Sequence, residues 1–575
     1  MDYTIRIGGE AGQGLQTIGG VLAKVFSRSG FHVFTHQDYM SRIRGGHNFY
    51  QIRFSDKEVM SSREKVDILI ALDLYTIETH KGTLSEKGII IYDAAFIKKV
   101  FNSPGFLNIP FEEIAVEAGG NRIMANTVAT GAVLGILGMD LTILEDIIRE
   151  RFRKKGEDIT GKNIASARAG FDHAVKVCTM CDFTVPEPGA PPLMLINGNE
   201  ATGLGALMSG CRFYAAYPMT PSTGIMIFLA SKAKEYGIVI EQAEDEISAI
   251  NMALGASFAG TRAMTGSSGG GFALMVEGLS LAAMTETPIV IAEVQRPGPA
   301  TGLPTRTEQA DLLFVLHAGH GEFARVVLAP GTPEQAFFLT NKAFDLAEKY
   351  QIPVFILSDQ YLADTEWTFR GLNTGSLRNN DYRSRSEALE GVSVYKRHRL
   401  TENGISPMAV PGESGRLVVT DSDEHDEEGH MIEDAETRIK MTQKRLMKKL
   451  PLIRQEIEPP LLYGSDRPDI VIVGWGSTYG VMKEAVDVLS GDYAIAMLHF
   501  SELHPFPSTE KFDYLSILGN TKLSLCIENN ATGQFSHLMR AETGYKFDAR
   551  INKYDGRPFT LEGLSGELYA HIGKL

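Results

Sequence analysis

The chain has 575 residues, too many for a single hydrophobic core, and its length alone points to roughly three to five domains. Hydrophobic residues at 43% beside 22% charged residues describe an ordinary globular protein. The net charge of −15 excludes the basic face that phosphate neutralisation demands, so nucleic acid is not an expected partner.

The start has no charged stretch leading into a long apolar core, so no signal peptide is expected. No apolar run approaches the roughly 18 residues of a membrane helix, and the cytoplasm is the expected compartment. The first segment opens with a strand at Tyr3–Ile7, followed by the loop Gly8-Gly9-Glu10-Ala11-Gly12-Gln13-Gly14. Leu15, Ile18, Leu22, Val25 and Phe26 then recur at helical spacing until Ser29-Gly30. Glycines at such a turn let backbone N–H groups approach a phosphate at the helix start. Gly12, Gln13 and Gly14 fit that pattern, with Thr17 where a dinucleotide fingerprint has its third glycine. Leu15 in place of lysine rules out a P-loop. A bare tight turn and an anion site fit this loop equally. Arg42 and Arg44, with Gly45, Gly46 and His47, follow a strand expected at Phe31–Thr35 and offer cations to the same phosphate, or form an ordinary solvated turn.

Apolar runs at Val66–Ala71 and Gly88–Tyr92 continue the strand–helix alternation of an α/β domain, assigned to residues 1–181. Cys178 and Cys181 form a lone CxxC at its end and read as reduced thiols; Cys211 and Cys526 are isolated, and the four lack the spacing of an iron–sulfur site. The Pro-rich stretch 182–192 is a stiff linker. A second α/β domain, 193–365, opens with a strand at Leu193–Ile196 and has buried-strand candidates at Ile289–Val294 and Val354–Leu357. Residues 366–463 are polar, with one helical stretch near Ala435–Leu450, and read as an extended connection lying over other domains. Within it Asp423, Glu424, His425, Asp426, Glu427, Glu428 and His430 crowd together without EF-hand spacing, so a solvated acidic loop is favoured over a metal site. The last domain, 464–575, begins with the strand and Gly/Ser turn of Pro468–Ser477, with later strands at Ala494–Leu498 and Leu523–Ile527.

Three motifs in order concentrate the chemistry: Tyr217-Pro218-Met219-Thr220-Pro221-Ser222-Thr223, then Glu244-Asp245-Glu246 opening an apolar helix, then Thr265-Gly266-Ser267-Ser268-Gly269-Gly270-Gly271. Ile247, Ile250, Leu254 and Phe258 share one face of that helix, and the small residues Ala253, Gly255, Ala256 and Gly260 imply close packing. A proline-flanked polar turn, a carboxylate at a helix start and a Ser/Gly loop suit a buried cofactor pocket. Glu244 and Asp245 compete with Glu246 for the buried position.

Together with Gly302–Asp311 and the C-terminal Glu528-Asn529-Asn530, these motifs resemble the 2-oxoacid:ferredoxin oxidoreductases, over nearly the whole chain. The resemblance implies the alpha subunit with an N-terminally fused, Rossmann-like gamma domain, a transketolase-type pyrimidine-binding domain and a transketolase C-terminal-like domain. The 2-oxoglutarate type is the nearest in pattern, with pyruvate, branched-chain or aryl 2-oxoacids as alternatives, and a non-catalytic cofactor-binding subunit as the reading from another class. By the family's motifs Glu246 meets N1′ of the aminopyrimidine of thiamine diphosphate, so that the cofactor can lose its C2 proton. Tyr217, Pro218, Ser267 and Ser268 line the cofactor, Thr220 faces the bound 2-oxoacid, and Arg306 binds its carboxylate. Gly12, Gln13, Gly14 and Arg44 become candidates for coenzyme A, the acyl acceptor. The Gly-Asp-Gly segment that holds a diphosphate through magnesium is missing from the sequence. A beta subunit is therefore expected to bring Mg2+ and a [4Fe-4S] cluster, with an (alpha–beta)2 assembly, ferredoxin as electron acceptor, and a reversible reaction giving acyl-CoA and CO2. No metal ligand is assigned in this chain.

Overall fold

The computed structural model describes residues 1–42, 45–179, 181–186, 189–385, 389, 394–413 and 415–573, in two compact units. The first unit takes in residues 1–196, 365–371 and 560–564, and the second the remainder.

In the first unit, β1 (Asp2–Ala11) runs into α1 (Leu15–Arg28), then β2 (His32–Asp38), β3 (Gly45–Ser55), β4 (Val66–Ala71), β5 (Leu84–Tyr92), β6 (Phe106–Asn108) and, much later, β7 (Met194–Asn197). The sheet order is β6-β5-β4-β1-β3-β2, then the strand Glu366–Phe369, then β7. β1, β4, β5 and β6 are parallel, whereas β3 is antiparallel to both β1 and β2. Ile5, Ile7, Ile52, Ile68 and Ile70 point from successive strands into one core closed by α1 and by the helices Ala125–Leu137 and Glu157–Val177. Those two helices meet almost backbone to backbone, since a Cβ at Gly135 would stand 2.7 Å from the Phe171 carbonyl oxygen.

Three expectations are corrected here. Residues 366–369, read as the start of a polar connection, are a strand: Trp367 pairs with Phe34 across the ladder, Thr368 Oγ1 accepts the Val33 N–H at 2.7 Å, and Glu366 accepts the Tyr50 hydroxyl at 2.5 Å. Cys178 and Cys181 are joined as a disulfide, with Cα atoms 5.4 Å apart, because the chain turns off the helix end and lays Phe183 and Val185 on the core beside them. The acidic stretch 423–430 is only partly solvated. His425 is fully buried, Glu424 pairs with Arg438 and Arg445, and Glu427 pairs with Lys396.

In the second unit the parallel strands β8 (Phe213–Ala216), β9 (Val239–Gln242), β10 (Ala263–Ser267), β11 (Ile289–Gln295), β12 (Val326–Leu328) and β13 (Pro353–Asp359) form a sheet ordered β12-β13-β11-β10-β8-β9, with Glu502–His504 antiparallel at the β12 edge. Its central strands are buried on both faces and so read as near-continuous apolar runs. Helix α2 (Glu246–Phe258) and helix α3 (Gly269–Met284) cover one face, pressed together where a Cβ at Gly278 would meet Ile250 Cγ2 at 2.7 Å. The strands Leu461–Gly464, Ile495–Phe500, Ile470–Trp475, Leu523–Glu528 and Ala549–Asn552, in that order, make a five-stranded sheet.

The polar segment after 372 is anchored by one buried carboxylate. Glu286, 1% exposed, accepts hydrogen bonds from the ammonium groups of Lys444 and Lys449 and contacts His398 Nδ1 at 3.0 Å, while Arg397 donates to the Glu286 carbonyl. Burial lowers Lys444 to about 7, with the attraction of Glu286 opposing it. A polar stretch thus docks on an apolar domain by matching buried charges.

Candidate functional site

The ends of β8 and β10 and the starts of α2 and α3 bring the motif residues together. Asp245 caps α2, its carboxylate accepting the Ser248 N–H at 2.7 Å, and this turns the next residue, Glu246, inward. Glu246 is 3% exposed. Ile250 and Leu254 bury the same helix in the core, whereas Ile247 is 45% exposed and does not share their face as its spacing suggested. At the end of β10, Ser267 Oγ donates to Glu246 Oε1 at 3.4 Å and lies 3.6 Å from Met219 Sδ. The Tyr-Pro-Met-Thr-Pro turn, the helix-opening carboxylate and the Ser/Gly loop therefore meet at one point.

A Cβ built at Gly271 would stand 2.8 Å from Glu246 Cδ and closer still to Ser267 Oγ, so only glycine at this position lets the two side chains pack against the start of α3. Ser268 is fully buried at the start of α3, with its hydroxyl unpartnered, which a native structure seldom tolerates without a ligand or water. A buried carboxylate and an unused hydroxyl at neighbouring helix starts suit the edge of a nitrogen-bearing ring, and the aminopyrimidine of thiamine diphosphate fits them. Tyr217, 41% exposed, stands at the rim with Pro218.

Thr220 follows in the same turn, and its carbonyl accepts a 2.7 Å hydrogen bond from Arg296 Nη1. Sequence reasoning missed Arg296. It follows the all-buried strand β11, ahead of Pro297-Gly298-Pro299, and no motif drew attention to it. Burial lowers its pKa and the Asp311 charge opposes that shift. Arg306, the cation singled out by motif, packs its stem beside the C-terminal loop, where a Cβ at Gly556 would stand 3.3 Å from Arg306 Cβ.

The segment that carries Arg306 is gripped from the C-terminal sheet. Gln309 N–H donates to the Asn529 carbonyl at 2.7 Å, and Asn529 N–H donates back to Gln309 Oε1 at 3.0 Å. Gln309 Nε2 reaches the Trp475 carbonyl at 2.9 Å, and Asn530 Nδ2 reaches the Gln309 carbonyl at 3.0 Å. Glu528 in turn accepts from Asn530 Nδ2 and from the N–H groups of Phe535 and Ser536. The Glu-Asn-Asn motif and the Gly-Trp-Gly turn thus act as a clasp on 302–311.

The first unit has a second candidate. Gly12 (φ +98) and Gly14 (φ +89) sit in conformations that favour glycine, and a Cβ at Gly14 would meet Asn126 Cγ at 2.8 Å. The Gly12 side is open and borders a cavity of about 330 Å³ lined by Thr17, Tyr39, Arg42 and Asn48 among others. Gln13 braces the loop: its Oε1 accepts the Glu10 N–H at 2.7 Å and its Nε2 reaches the Leu72 carbonyl. Arg44 lies outside the described residues.

Comparison with known proteins agrees with both regions. The family described as "Pyruvate flavodoxin/ferredoxin oxidoreductase, thiamine diP-bdg" matches residues 204–444, and "Pyruvate ferredoxin/flavodoxin oxidoreductase" matches residues 4–173. A 2-oxoacid:ferredoxin oxidoreductase subunit alpha from Sulfolobus is 32% identical over 98% of this chain and 96% of its own length. The 2-oxoglutarate oxidoreductase subunit KorA of Mycobacterium tuberculosis is 30% identical over 88% of this chain and 83% of its own. Among solved structures, a 2-oxoglutarate:ferredoxin oxidoreductase from Magnetococcus marinus, with 2-oxoglutarate, coenzyme A and succinyl-CoA bound, superimposes with a TM-score of 0.91 at 32% identity, covering 99% of both chains. With these matches over nearly its whole length, the chain belongs to the 2-oxoacid:ferredoxin oxidoreductases, as an alpha subunit.

Proposed function

We propose that this chain supplies the pyrimidine half of the thiamine site and the substrate-binding residues of an oxidoreductase acting on 2-oxoglutarate, coenzyme A and ferredoxin. The observation that carries the reading is the buried Glu246 carboxylate at a helix start, touching Ser267 and packed against Gly271. Glu246 would hold a proton at N1′, and Ser268 would offer its free hydroxyl. When bound, thiamine diphosphate supplies a nucleophilic carbon for the ketone and an electron sink for decarboxylation. Arg306 is assigned to the 2-oxoacid carboxylate by the motif it stands in, with Arg296, which bonds the Thr220 carbonyl, as the second candidate. The preference for 2-oxoglutarate rests on the Magnetococcus and Mycobacterium relatives.

The first unit is assigned to coenzyme A through Gly12, Gln13 and Gly14, supported by the open cavity beside Gly12. A beta subunit is assigned the diphosphate, Mg2+ and [4Fe-4S] half. Two of the four cysteines are paired with each other and Cys211 and Cys526 are buried, so these residues do not suit a cluster. Exposed Ile247, Met252 and Leu274 on α2 and α3 provide an apolar surface for that partner. No helix among the described residues is long and apolar enough to cross a membrane.

Glu246→Gln tests the reading. In the co-purified complex, cofactor content should stay near normal while C2 proton exchange slows by ~10²–10⁴-fold, the range for losing an acid–base group. Glu244→Gln and Asp245→Asn are the controls. Normal exchange in Glu246→Gln would overturn the assignment. A panel of 2-oxoacids with coenzyme A and a viologen dye tests the substrate.

A further inference from the structure

Three consecutive carbonyls of the Tyr-Pro-Met-Thr-Pro turn are each taken by a side chain. Ser222 Oγ donates to the Met219 carbonyl at 2.8 Å, Arg296 Nη1 to the Thr220 carbonyl at 2.7 Å, and Asn199 Nδ2 to the Pro221 carbonyl at 2.9 Å. Ser222 is local to the turn, whereas Arg296 and Asn199 reach in from 76 and 22 residues away along the chain. A carbonyl taken out of water needs a donor, which backbone or an ordered water commonly supplies. Here the peptide planes on both sides of Thr220 are fixed by side chains, and that fixes the direction of its Cα–Cβ bond. None of the three bonds uses the Thr220 hydroxyl.

The two distant donors stand on rigid bases. Arg296 directly follows β11, whose last residue, Gln295, is fully buried and in register with Asp359 of β13. Gln295 Nε2 donates to the Ser358 carbonyl at 3.0 Å and its Oε1 accepts the Asp311 N–H at 3.0 Å, so the strand end that carries the guanidinium is tied on two sides. Asn199, 5% exposed, lies in the first turn of the helix Gly198–Met208, which Asn197 caps by accepting the Glu200 N–H at 2.9 Å. Asn199 packs on Gly224, where a Cβ would stand 3.0 Å from Asn199 Cγ and nearer still to the amide nitrogen that bonds Pro221. The bare Gly224 thus leaves room for that bond.

We propose that Arg296 and Asn199 are positioning residues, which hold this turn so that Thr220 presents its side chain to the 2-oxoacid. The proposal rests on the family reading of Thr220 as the residue facing that substrate. The same turn carries Met219, whose Sδ lies 3.6 Å from Ser267 Oγ, so holding it also keeps the turn against the Ser267–Glu246 pair. A reacting group carried on a loop is placed only as well as the loop is held. Arg296 acts through its bond to the backbone, and Arg306 keeps the substrate carboxylate.

Hydrogen exchange and steady-state kinetics on the full-length chain, co-expressed with its partner, test this. In Arg296→Ala, Asn199→Ala and Gly224→Ala, exchange should speed up several-fold at Thr223 and Ile225, whose N–H groups bond the Met219 and Ser222 carbonyls. In the same variants kcat should fall by up to about a hundredfold, the cost of moving a reacting group by about 1 Å, while 2-oxoacid affinity changes by less. Arg296→Lys keeps a donor on a long side chain and should recover most of kcat; it also serves if the alanine variant fails to assemble. In a Thr220→Val background the three substitutions should change kcat by no more than about twofold, since the hydroxyl they place is gone. Unchanged exchange in all three variants, or a loss in Arg296→Ala confined to 2-oxoacid affinity, overturns the proposal. If the turn loosens as expected but Thr220→Val turns over normally, the reading of Thr220 fails and the hold on the turn stands.

Discussion

Gly271→Ala asks whether the packing of Glu246 and Ser267 against Gly271 fixes the carboxylate. The new methyl carbon would sit 2.8 Å from Glu246 Cδ, and non-bonded carbons settle at about 3.5–4.0 Å, so the carboxyl group must retreat by about 1 Å. Ser267 must yield as well, because its hydroxyl lies against the same position. Overpacking of this kind costs about 1–3 kcal/mol, and the gain in helix propensity from Gly to Ala returns at most about 1. A net loss of about 1–2 kcal/mol is expected. The functional loss should be larger, since a 1 Å misplacement of a reacting group can cost about 10²-fold. Gly270→Ala is the matched control in the same turn, because its Cβ would meet nothing nearer than the Ala300 carbonyl at 3.5 Å. The assays are thermal denaturation and C2 deuterium exchange of bound thiamine diphosphate in the co-purified complex. If Gly271→Ala matched Gly270→Ala in both, the carboxylate would not be held where the structure puts it.

Further expectations concern separate parts of the chain. Arg306→Ala should weaken 2-oxoacid binding by about ten- to a hundredfold, from about 1.5–3 kcal/mol for a hydrogen bond to a charged group, and Arg296→Ala by less; isothermal titration showing the reverse order would move the role to Arg296. Glu286→Ala strands Lys444 and Lys449 in the interior and should cost about 3–5 kcal/mol by urea denaturation, with an unchanged midpoint counting against the buried cluster. Gly12→Ala meets no atom within 4 Å but must hold φ near +98, so it acts through the loop backbone. It should raise the Michaelis constant for coenzyme A and leave 2-oxoacid decarboxylation intact, and an unaltered coenzyme A dependence would speak against the first-unit site.

What the sequence revealed followed from how local each signal is. Val66–Ala71 is a strand with the bounds its apolar run suggested, and Ile289–Val294 falls one residue short of β11, because buried parallel strands declare themselves by composition. The carboxylates opening an apolar helix are a local pattern, but choosing Glu246 over Glu244 and Asp245 took the resemblance to the family's motif. Features made by distant partners were not legible. Glu-Trp-Thr-Phe at 366–369 has no long apolar run, and its pairing partner lies more than 300 residues earlier. Arg296 gains its meaning from the carbonyl of Thr220, 76 residues away. The ion pairs of Glu424 and Glu427 likewise come from basic residues scattered over 396–445, which turn an apparently free acidic loop into folded structure.

The first unit is assembled from three stretches of chain that leave the ribosome at very different times. When residue 196 has been made, the β2 edge still lacks its neighbour, Glu366–Phe369, and the loop near Ser62 lacks Leu561, whose N–H donates to the Ser62 carbonyl at 3.0 Å. An edge strand with unpaired N–H and C=O groups is a template for other chains, and N-terminal domains ordinarily fold first during synthesis. Here the nascent N-terminal sheet must wait through roughly 170 further residues for its edge, about ten to thirty seconds at typical elongation rates. That interval is when the growing polypeptide most needs a chaperone, and a stop codon placed after residue 181 would make the interval permanent.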